Sequence, residues 1–374
     1  ENTFYEIEFE RINASYKDFS EKLNKFYYLI EGYSSLNIGK VDISELILNT
    51  TEKLNIINQY NNFLKLKPKV YGNLGIYRNE AYNIKKKNLL SNDVLDFAVT
   101  TKLDGVRTFL FLYNKNAYLV NAPFNIIRIA NNLDHKGTIL YDGELLDNGD
   151  YYIFDIVKDD KDTQEQNLKE RLKNISTNYK LNFIKLIKKK FYFDDFYKST
   201  NDALDENKEF NKKNIGTDGI IIQSIEVPYK NEETYKWKDE NNLTIDFLVK
   251  KTNNDNYNLL TRNKNKEYVI FRGNSNKLYL KNVNFPEGKF LDQEIDGKIL
   301  EFKWQKDNFV PYRIRNDRPF PNDEHVAFDI WNDIHNPITE ETIRGKDLVI
   351  MRALHNKIKK GLLEKYVNAL KKEN

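Results

Sequence analysis

Lys102 lies in Thr101-Lys102-Leu103-Asp104-Gly105-Val106-Arg107, where one apolar run ends at a tight glycine turn and another begins. A lysine amine is nucleophilic only after losing its proton, and desolvation or nearby cations lower the pKa that governs this. Read alone, the stretch is equally a hairpin turn with surface charges. A second constellation, Tyr141-Asp142-Gly143-Glu144-Leu145, precedes Tyr152-Ile153-Phe154-Asp155-Ile156-Val157. Two-residue spacing puts Asp142 and Glu144 on one strand face, a pair of acceptors suited to ribose hydroxyls or a hydrated Mg²⁺; the plain alternative is an acidic turn. Thr217-Asp218-Gly219-Ile220-Ile221-Ile222 repeats the pattern of acid, glycine and apolar strand, and offers another carboxylate for metal. All three Asp-Gly pairs are expected as turns leading into apolar strands, which ordinary hairpins also provide.

Cationic pairs follow. Alternation in Tyr235-Lys236-Trp237-Lys238 places Lys236 and Lys238 on one face, where two ammonium groups can hold a triphosphate and depress the pKa of a nearby lysine. An exposed amphipathic strand around a core tryptophan is the alternative. Thr244-Ile245-Asp246-Phe247 comes next, and Tyr312-Arg313-Ile314-Arg315-Asn316-Asp317-Arg318 brings Arg313 and Arg315 to one face, a fork suited to phosphate or a charged edge strand. At the other end, Phe4-Tyr5-Glu6-Ile7-Glu8-Phe9-Glu10 alternates strictly, so Glu6, Glu8 and Glu10 form either a solvated edge or a shelf for a divalent cation.

The elements that must position these groups can be read from periodicity. Helical spacing of Phe, Leu and Ile runs over 17–32 and 43–66 and closes at Pro68. Short β-rich runs over 96–101, 108–113, 117–121, 137–146 and 151–157 predict an antiparallel meander, 160–190 reads as helix, and 218–224 and 234–250 return to strand. This is an α+β domain. Runs over 257–261, 268–272, 277–280 and 298–303 fit a second, small Greek-key barrel beginning at 244. Beyond Asp347 the chain is helical and basic.

Composition narrows the chemistry. The 374 residues carry 59 basic and 56 acidic side chains, so a net charge of +3 leaves any nucleic-acid contact to local patches. With no cysteine, thiolate zinc sites, disulfides and Cys nucleophiles are excluded. His135, His325, His335 and His355 are dispersed without a His-x3-His pair, which argues against a histidine-held zinc. No apolar run approaches about 18 residues, so no membrane association is expected. The start, Glu1-Asn2-Thr3-Phe4, lacks both Met and a signal-peptide core, and reads as the beginning of a unit cut from something longer.

In order and spacing these stretches resemble the covalent nucleotidyltransferase superfamily, and within it the mRNA capping guanylyltransferases. Lys102–Arg107 matches the nucleophile motif Lys-x-Asp-Gly-x-Arg, Asp142–Glu144 and Tyr152–Val157 the next two, Asp218-Gly219 the fourth, and Lys236–Lys238 with Asp246 the fifth. Arg313–Arg318 is similar to the last motif, Arg-x-Arg-x-Asp-Lys, with Arg318 where lysine is usual; Asp239 stands where proline is common. Five or six ordered motifs are far more specific than any one.

The resemblance implies a nucleotidyltransferase domain over 63–243 joined to an OB-fold domain over 244–345. By it Lys102 attacks the α-phosphate of GTP, forms a lysyl-GMP phosphoramidate and passes GMP to a 5′-diphosphate RNA. Asp104, Gly105, Arg107 and Glu144 would contact the nucleotide, with Arg107 and Glu144 at the ribose. Lys236 and Lys238 would hold the α-phosphate, Asp246 would belong to the same site, and Arg313, Asp317 and Arg318 would close on the β- and γ-phosphates. Asp218 with Glu144 would hold Mg²⁺ or Mn²⁺. Glu6, Glu8 and Glu10 resemble the metal strand of tunnel-type RNA triphosphatases, making 1–62 the remnant of such a domain plus packing helices. Residues 346–374 resemble the linker to a cap methyltransferase. That arrangement is the multifunctional capping enzyme of cytoplasmic DNA viruses and linear plasmids, working in the host cytoplasm or the virion, with room for an accessory subunit. Two other readings are an ATP-dependent polynucleotide ligase and a catalytically silent RNA-binding or scaffold module.

Overall fold

The structure, a computed structural model, describes residues 48–66, 79–90, 97–121, 125–181, 184–252, 257–273, 295–315, 318–356 and 359–360. Asn49 opens α1 (Thr50–Phe63) with a reciprocal capping box: its side chain accepts from Glu52 N at 2.9 Å, and Glu52 Oε2 accepts from Asn49 N at 2.9 Å. Ile56, Ile57 and Tyr60 then fall on one face and bury against Phe111, Tyr118 and Leu140. The other helix expected near the start, 17–32, and the strand of Glu6, Glu8 and Glu10 lie outside the described residues.

β1 (Tyr82–Asn83) and α2 (Lys86–Leu90) lead into β2 (Phe97–Leu103), β3 (Val106–Tyr113), β4 (Asn116–Asn121), β5 (Asn125–Ala130), β6 (Ile139–Leu145) and β7 (Asp150–Asp159). Then follow α3 (Leu168–Lys173), β8 (Lys185–Lys188), α4 (Phe196–Lys212), β9 (Thr217–Ser224) and β10 (Thr234–Lys238). The last part holds β11 (Thr244–Lys251), β12 (Tyr257–Arg262), β13 (Tyr268–Ile270), β14 (Ile299–Gln305), β15 (Asn308–Ile314), α5 (Glu324–His335) and α6 (Glu340–Ile343), followed by a helical run over 348–356. The chain is thus mixed α+β.

Among the described residues there are three sheets, ordered β1-β10-β9-β2, β5-β4-β3-β6-β7-β8 and β13-β12-β11-β14-β15. The third is antiparallel throughout and is drawn wholly from residues beyond 243, an OB-like arrangement. Its core holds Phe247, Phe302 and Phe309, sealed by Trp331 of α5. α5 also reaches back to the first sheet, where Asp333 accepts from Lys85 at 2.7 Å and from Asn83 at 3.2 Å. Beyond it Ile338 and Ile343 bury with Phe196, Ile220 and Trp237.

Several expectations change. β2 and β3 do not form a hairpin: they belong to different sheets, and Asp104-Gly105 carries the chain from one to the other. Of the three Asp-Gly pairs only this one is a turn, since Asp142-Gly143 lies within β6 and Asp218-Gly219 within β9. At Gly143 an added Cβ would stand 2.4 Å from the Tyr151 ring, so packing rather than turning demands glycine there. The expected helix over 160–190 is a 3₁₀ turn, then α3 alone, capped by Asn167. Leu186 and Ile187 instead join β8, paired in parallel with β7, a long-range partner that local periodicity cannot reveal. Likewise 234–250 is two strands broken at 239–243, and β5, α4 and α5 were not foreseen.

α3 exists to deliver Arg171. Its side chain is fully buried, donating to Asp155 Oδ1 at 2.7 Å and Oδ2 at 2.9 Å, to Glu232 Oε2 at 3.0 Å, and to the carbonyls of Gln166 and Val227 at 2.8 Å each. Gln223 Nε2 donates to both carboxylates. Burial, then the nearby Asp155, push the Glu232 pKa well above its ordinary value. Arg171→Met should therefore cost about 3–5 kcal/mol, because it strands two carboxylates in the core. Urea unfolding checks this; a loss under about 1 kcal/mol would mean that the carboxylates are satisfied without the guanidinium.

Candidate active site

Three strands of the first sheet bring the lysines together. Lys102 on β2 sits opposite Gly219 on β9, which sits opposite Lys238 on β10. A side chain at 219 would place its Cβ 1.9 Å from the Trp237 carbonyl oxygen, at a φ of +152°. Only glycine lets the strands approach here. Asp218, beside that gap, takes Lys102 Nζ on Oδ1 at 2.7 Å and Lys238 Nζ on Oδ2 at 2.6 Å. Burial alone would raise the Asp218 pKa, but the ammonium groups of Lys238 and Lys102 outweigh it and hold the carboxyl below its ordinary value. Lys236, two residues earlier on the same face, is pushed below its ordinary value by burial and then by Lys238 and Lys102.

The second wall comes from β3, β6 and β7. Asp104 is exposed at the turn, its N–H donating to Gly216 O at 2.9 Å. Gly105 N donates to Glu144 Oε1 at 3.2 Å, and a Cβ at 105 would stand 2.6 Å from Leu145 O, so the turn is pressed directly onto β6. Arg107 lies opposite Glu144 and grips Asp142 with Nε at 3.0 Å and Nη2 at 2.6 Å. Tyr229 hydroxyl donates to the same Asp142 Oδ2 at 2.6 Å. Arg107 Nη1 donates to Asn79 O, and Asn79 Nδ2 donates to Tyr229 O, closing a ring of hydrogen bonds around the guanidinium. Asp142 is therefore committed to Arg107 and wholly buried, which corrects its expected role as a ribose or metal acceptor paired with Glu144.

Sequence reasoning missed Lys189. In the run Lys188-Lys189-Lys190 it reads as solvated, yet it continues the pairing of β8 with β7 through its N–H to Ile153 O, at 2.8 Å, and is 8% exposed. Its ammonium lies 5.3 Å from the Phe154 ring, and the Arg107 guanidinium 5.5 Å from the same ring. Burial pushes the Lys189 pKa down to about 8 against the pull of Glu144; burial pushes Glu144 up to about 6 against Lys189, Lys102 and Arg107. The available signal was the alternation of Lys188, Lys189 and Lys190 between exposed and buried, which a run of identical residues conceals.

The remaining candidates gather elsewhere, on the third sheet. Glu301 takes Arg313 Nε at 2.5 Å and the Thr244 hydroxyl at 2.5 Å; Arg315 Nη1 lies 3.1 Å from Asp246 Oδ2 and 3.7 Å from Glu301, and Arg318 Nε lies 3.6 Å from Asp246 Oδ2. Arg313 and Arg315 both reach Glu301, though β15 ends at Ile314 between them. Arg315 is deeply set and structural, whereas the Arg313 and Arg318 side chains are half exposed. Asp317 lies outside the described residues.

Among the described residues no three His, Asp or Glu side chains cluster to hold a metal. Both Asp218 oxygens are taken by Lys102 and Lys238, and Glu144 Oε1 by Gly105 N, so a Mg²⁺-like ion at these carboxylates would have to exchange with a lysine and complete its shell with phosphate oxygens and water.

The Glu144 shift has a stability consequence. Its pKa is about 6 folded against an ordinary 4.5, so the folded state binds more protons across that window and stability falls as pH rises through it. Glu144→Gln should flatten the pH dependence of urea unfolding between those values; an unchanged slope would place the responsible group elsewhere.

A model of the mRNA capping enzyme C-terminal domain matches residues 240–344, the stretch that carries the third sheet. The mRNA-capping enzyme of Mus musculus is 32% identical over 128 residues, 34% of this chain and 20% of that protein. That of Danio rerio is 28% identical over 130 residues, with the same coverage of 34% and 20%. The chain thus matches about a fifth of the length of these curated relatives. A solved structure described as a structure-function analysis of Lig E DNA ligases is 14% identical with a TM-score of 0.32, covering 65% of this chain and 100% of that one, a likeness on which no conclusion rests. Over residues 240–344 the chain is thus similar to the C-terminal domain of mRNA capping enzymes, and over about a third of its length to these two curated relatives.

Proposed function

We propose that this chain is an mRNA guanylyltransferase unit, transferring GMP from GTP to the 5′-diphosphate end of RNA through Lys102. The observation that carries this reading is the placement of Lys102 and Lys238 on the two oxygens of Asp218, with Lys236 alongside. Three amines around one carboxylate form a pocket for a polyphosphate; burial lowers the Lys236 pKa most, and the further lowering by Lys238 and Lys102 is repulsion that an arriving triphosphate would relieve. Nucleotidyltransferase residues over 63–243, an OB-fold domain over 244–345 and a methyltransferase-directed linker over 346–374 complete the proposal, with 1–62 as the triphosphatase remnant.

In the first step Lys102 Nζ, having given a proton to solvent, bonds to the α-phosphorus as the bond to the bridging oxygen breaks and pyrophosphate leaves. Asp218 aims the amine, while Lys236 and Lys238 stabilise charge on the α-phosphate. Asp142 and Tyr229 fix Arg107, which with Glu144 orients the ribose. Asp104 and Gly105 shape the turn beneath the nucleotide, and Arg313, Asp317 and Arg318 approach the leaving phosphates from the third sheet. In the second step a terminal oxygen of the RNA diphosphate displaces Lys102 from phosphorus. A divalent Mg²⁺ or Mn²⁺ held by Asp218 and Glu144 would supply further charge neutralisation at the phosphates.

Incubation with α-labelled GTP or ATP, followed by denaturing separation and acid treatment, tests this. We expect an acid-labile label from GTP alone, none with Lys102→Ala, and a labelling rate about 10²–10³-fold lower with Lys238→Ala. Label from ATP would support a ligase; no label from either nucleotide would overturn the enzymatic reading.

A further inference from the structure

We infer that the third sheet carries a binding track for single-stranded RNA, beginning at Arg313 and Arg318 and running over Phe320 and Arg262 to Tyr268. The inference deepens the proposed function, because it names the surface that would hold the acceptor chain downstream of its 5′ end.

Two observations point there. First, aromatic rings that ordinary packing would bury are left in solvent: Phe320 and Tyr268 are each 47% exposed and Phe328 is 39% exposed. The first two adjoin one cation. The Arg262 guanidinium lies 4.4 Å from the Phe320 ring centroid, and Arg262 is register-paired with Tyr268 across β12 and β13. Arg262 is itself held by Asp323 at 2.7 Å, which fixes the plane of its guanidinium. A ring beneath a fixed guanidinium presents a flat face for a base and a charge for the adjoining phosphate.

Second, the row is continuous with the arginines proposed to meet the nucleotide phosphates. Asn322 joins the two ends: its N–H donates to Asp246 O at 2.9 Å, its side-chain oxygen accepts from Asp246 N at 2.7 Å, and its carbonyl accepts from Arg262 N at 3.1 Å. The segment that begins at Arg318 therefore crosses the ends of β11 and β12 and sets Phe320 between the Asp246 cluster and Arg262. Along it the half-exposed cations Arg313 and Arg318 precede the rings, the order needed by an RNA whose diphosphate lies at the lysines and whose next bases splay outward. Sequence-independent stacking suits an enzyme that must accept many transcripts.

The test is fluorescence anisotropy of a 3′-labelled, 5′-diphosphate 12-mer RNA binding the whole chain, with GTP labelling of Lys102 measured in parallel. Phe320→Ala with Tyr268→Ala should weaken RNA binding by about tenfold or more while leaving the rate of GTP labelling unchanged. Phe320→Trp, which keeps a stacking face, should bind like the unaltered protein, and thermal melts of each variant separate lost stacking from lost folding. An unchanged RNA affinity in the folded double variant overturns the track and leaves the rings to a protein contact. Equal losses from Phe320→Trp and Phe320→Ala overturn stacking as the cause. If the unaltered chain takes no label from GTP, the guanylyltransferase reading fails, while the anisotropy still decides whether RNA uses this surface.

Discussion

One carboxylate shared by two lysines organises the site, and a missing side chain makes the sharing possible. Gly219 lets β9 and β10 close to a distance no Cβ tolerates, and the neighbouring Asp218 then reaches both Lys102 and Lys238. Three amines held close would repel without that anion. With it two positive charges remain unbalanced, and these are what the proposed polyphosphate would meet. The same closeness accounts for the lowered Lys236 pKa, since burial and its two cationic neighbours act in one direction.

Behind the lysines the core is unusually polar, and its polar groups are matched. Asp142 answers Arg107 and Tyr229, and Asp155 with Glu232 answers Arg171. A buried ion pair contributes little net stability relative to an apolar replacement. What these pairs supply is position: Arg107 is held by the Asp142 carboxylate and the Asn79 carbonyl. Lys189 and Glu144 differ, because burial pulls both groups toward neutrality while their opposite charges favour the ionised forms.

The third sheet keeps its arginines engaged with its own acids. Arg313 on Glu301 and Arg318 near Asp246 are half exposed, so the phosphate proposed to reach them would compete with partners already present rather than with water alone. The sheets themselves are linked by α5, through Asp333 on one side and Trp331 on the other.

Residue type and spacing alone marked which residues could do chemistry. Lys102, Asp218, Lys236 and Lys238 were marked by short motifs because strand alternation is local: residues two apart share a face wherever the strand lies. Most strands in 97–159 were legible for the same reason. Tertiary structure decided which strands became neighbours, and so that Asp218 serves two lysines, that Asp142 is spent on Arg107, and that Asp104-Gly105 crosses between sheets rather than closing a hairpin. It also buried Lys189 within a run of identical residues and turned 185–188 into a strand parallel to β7. These outcomes depend on contacts between residues tens of positions apart, and the free energy that selects them comes from burial against partners that no local window contains.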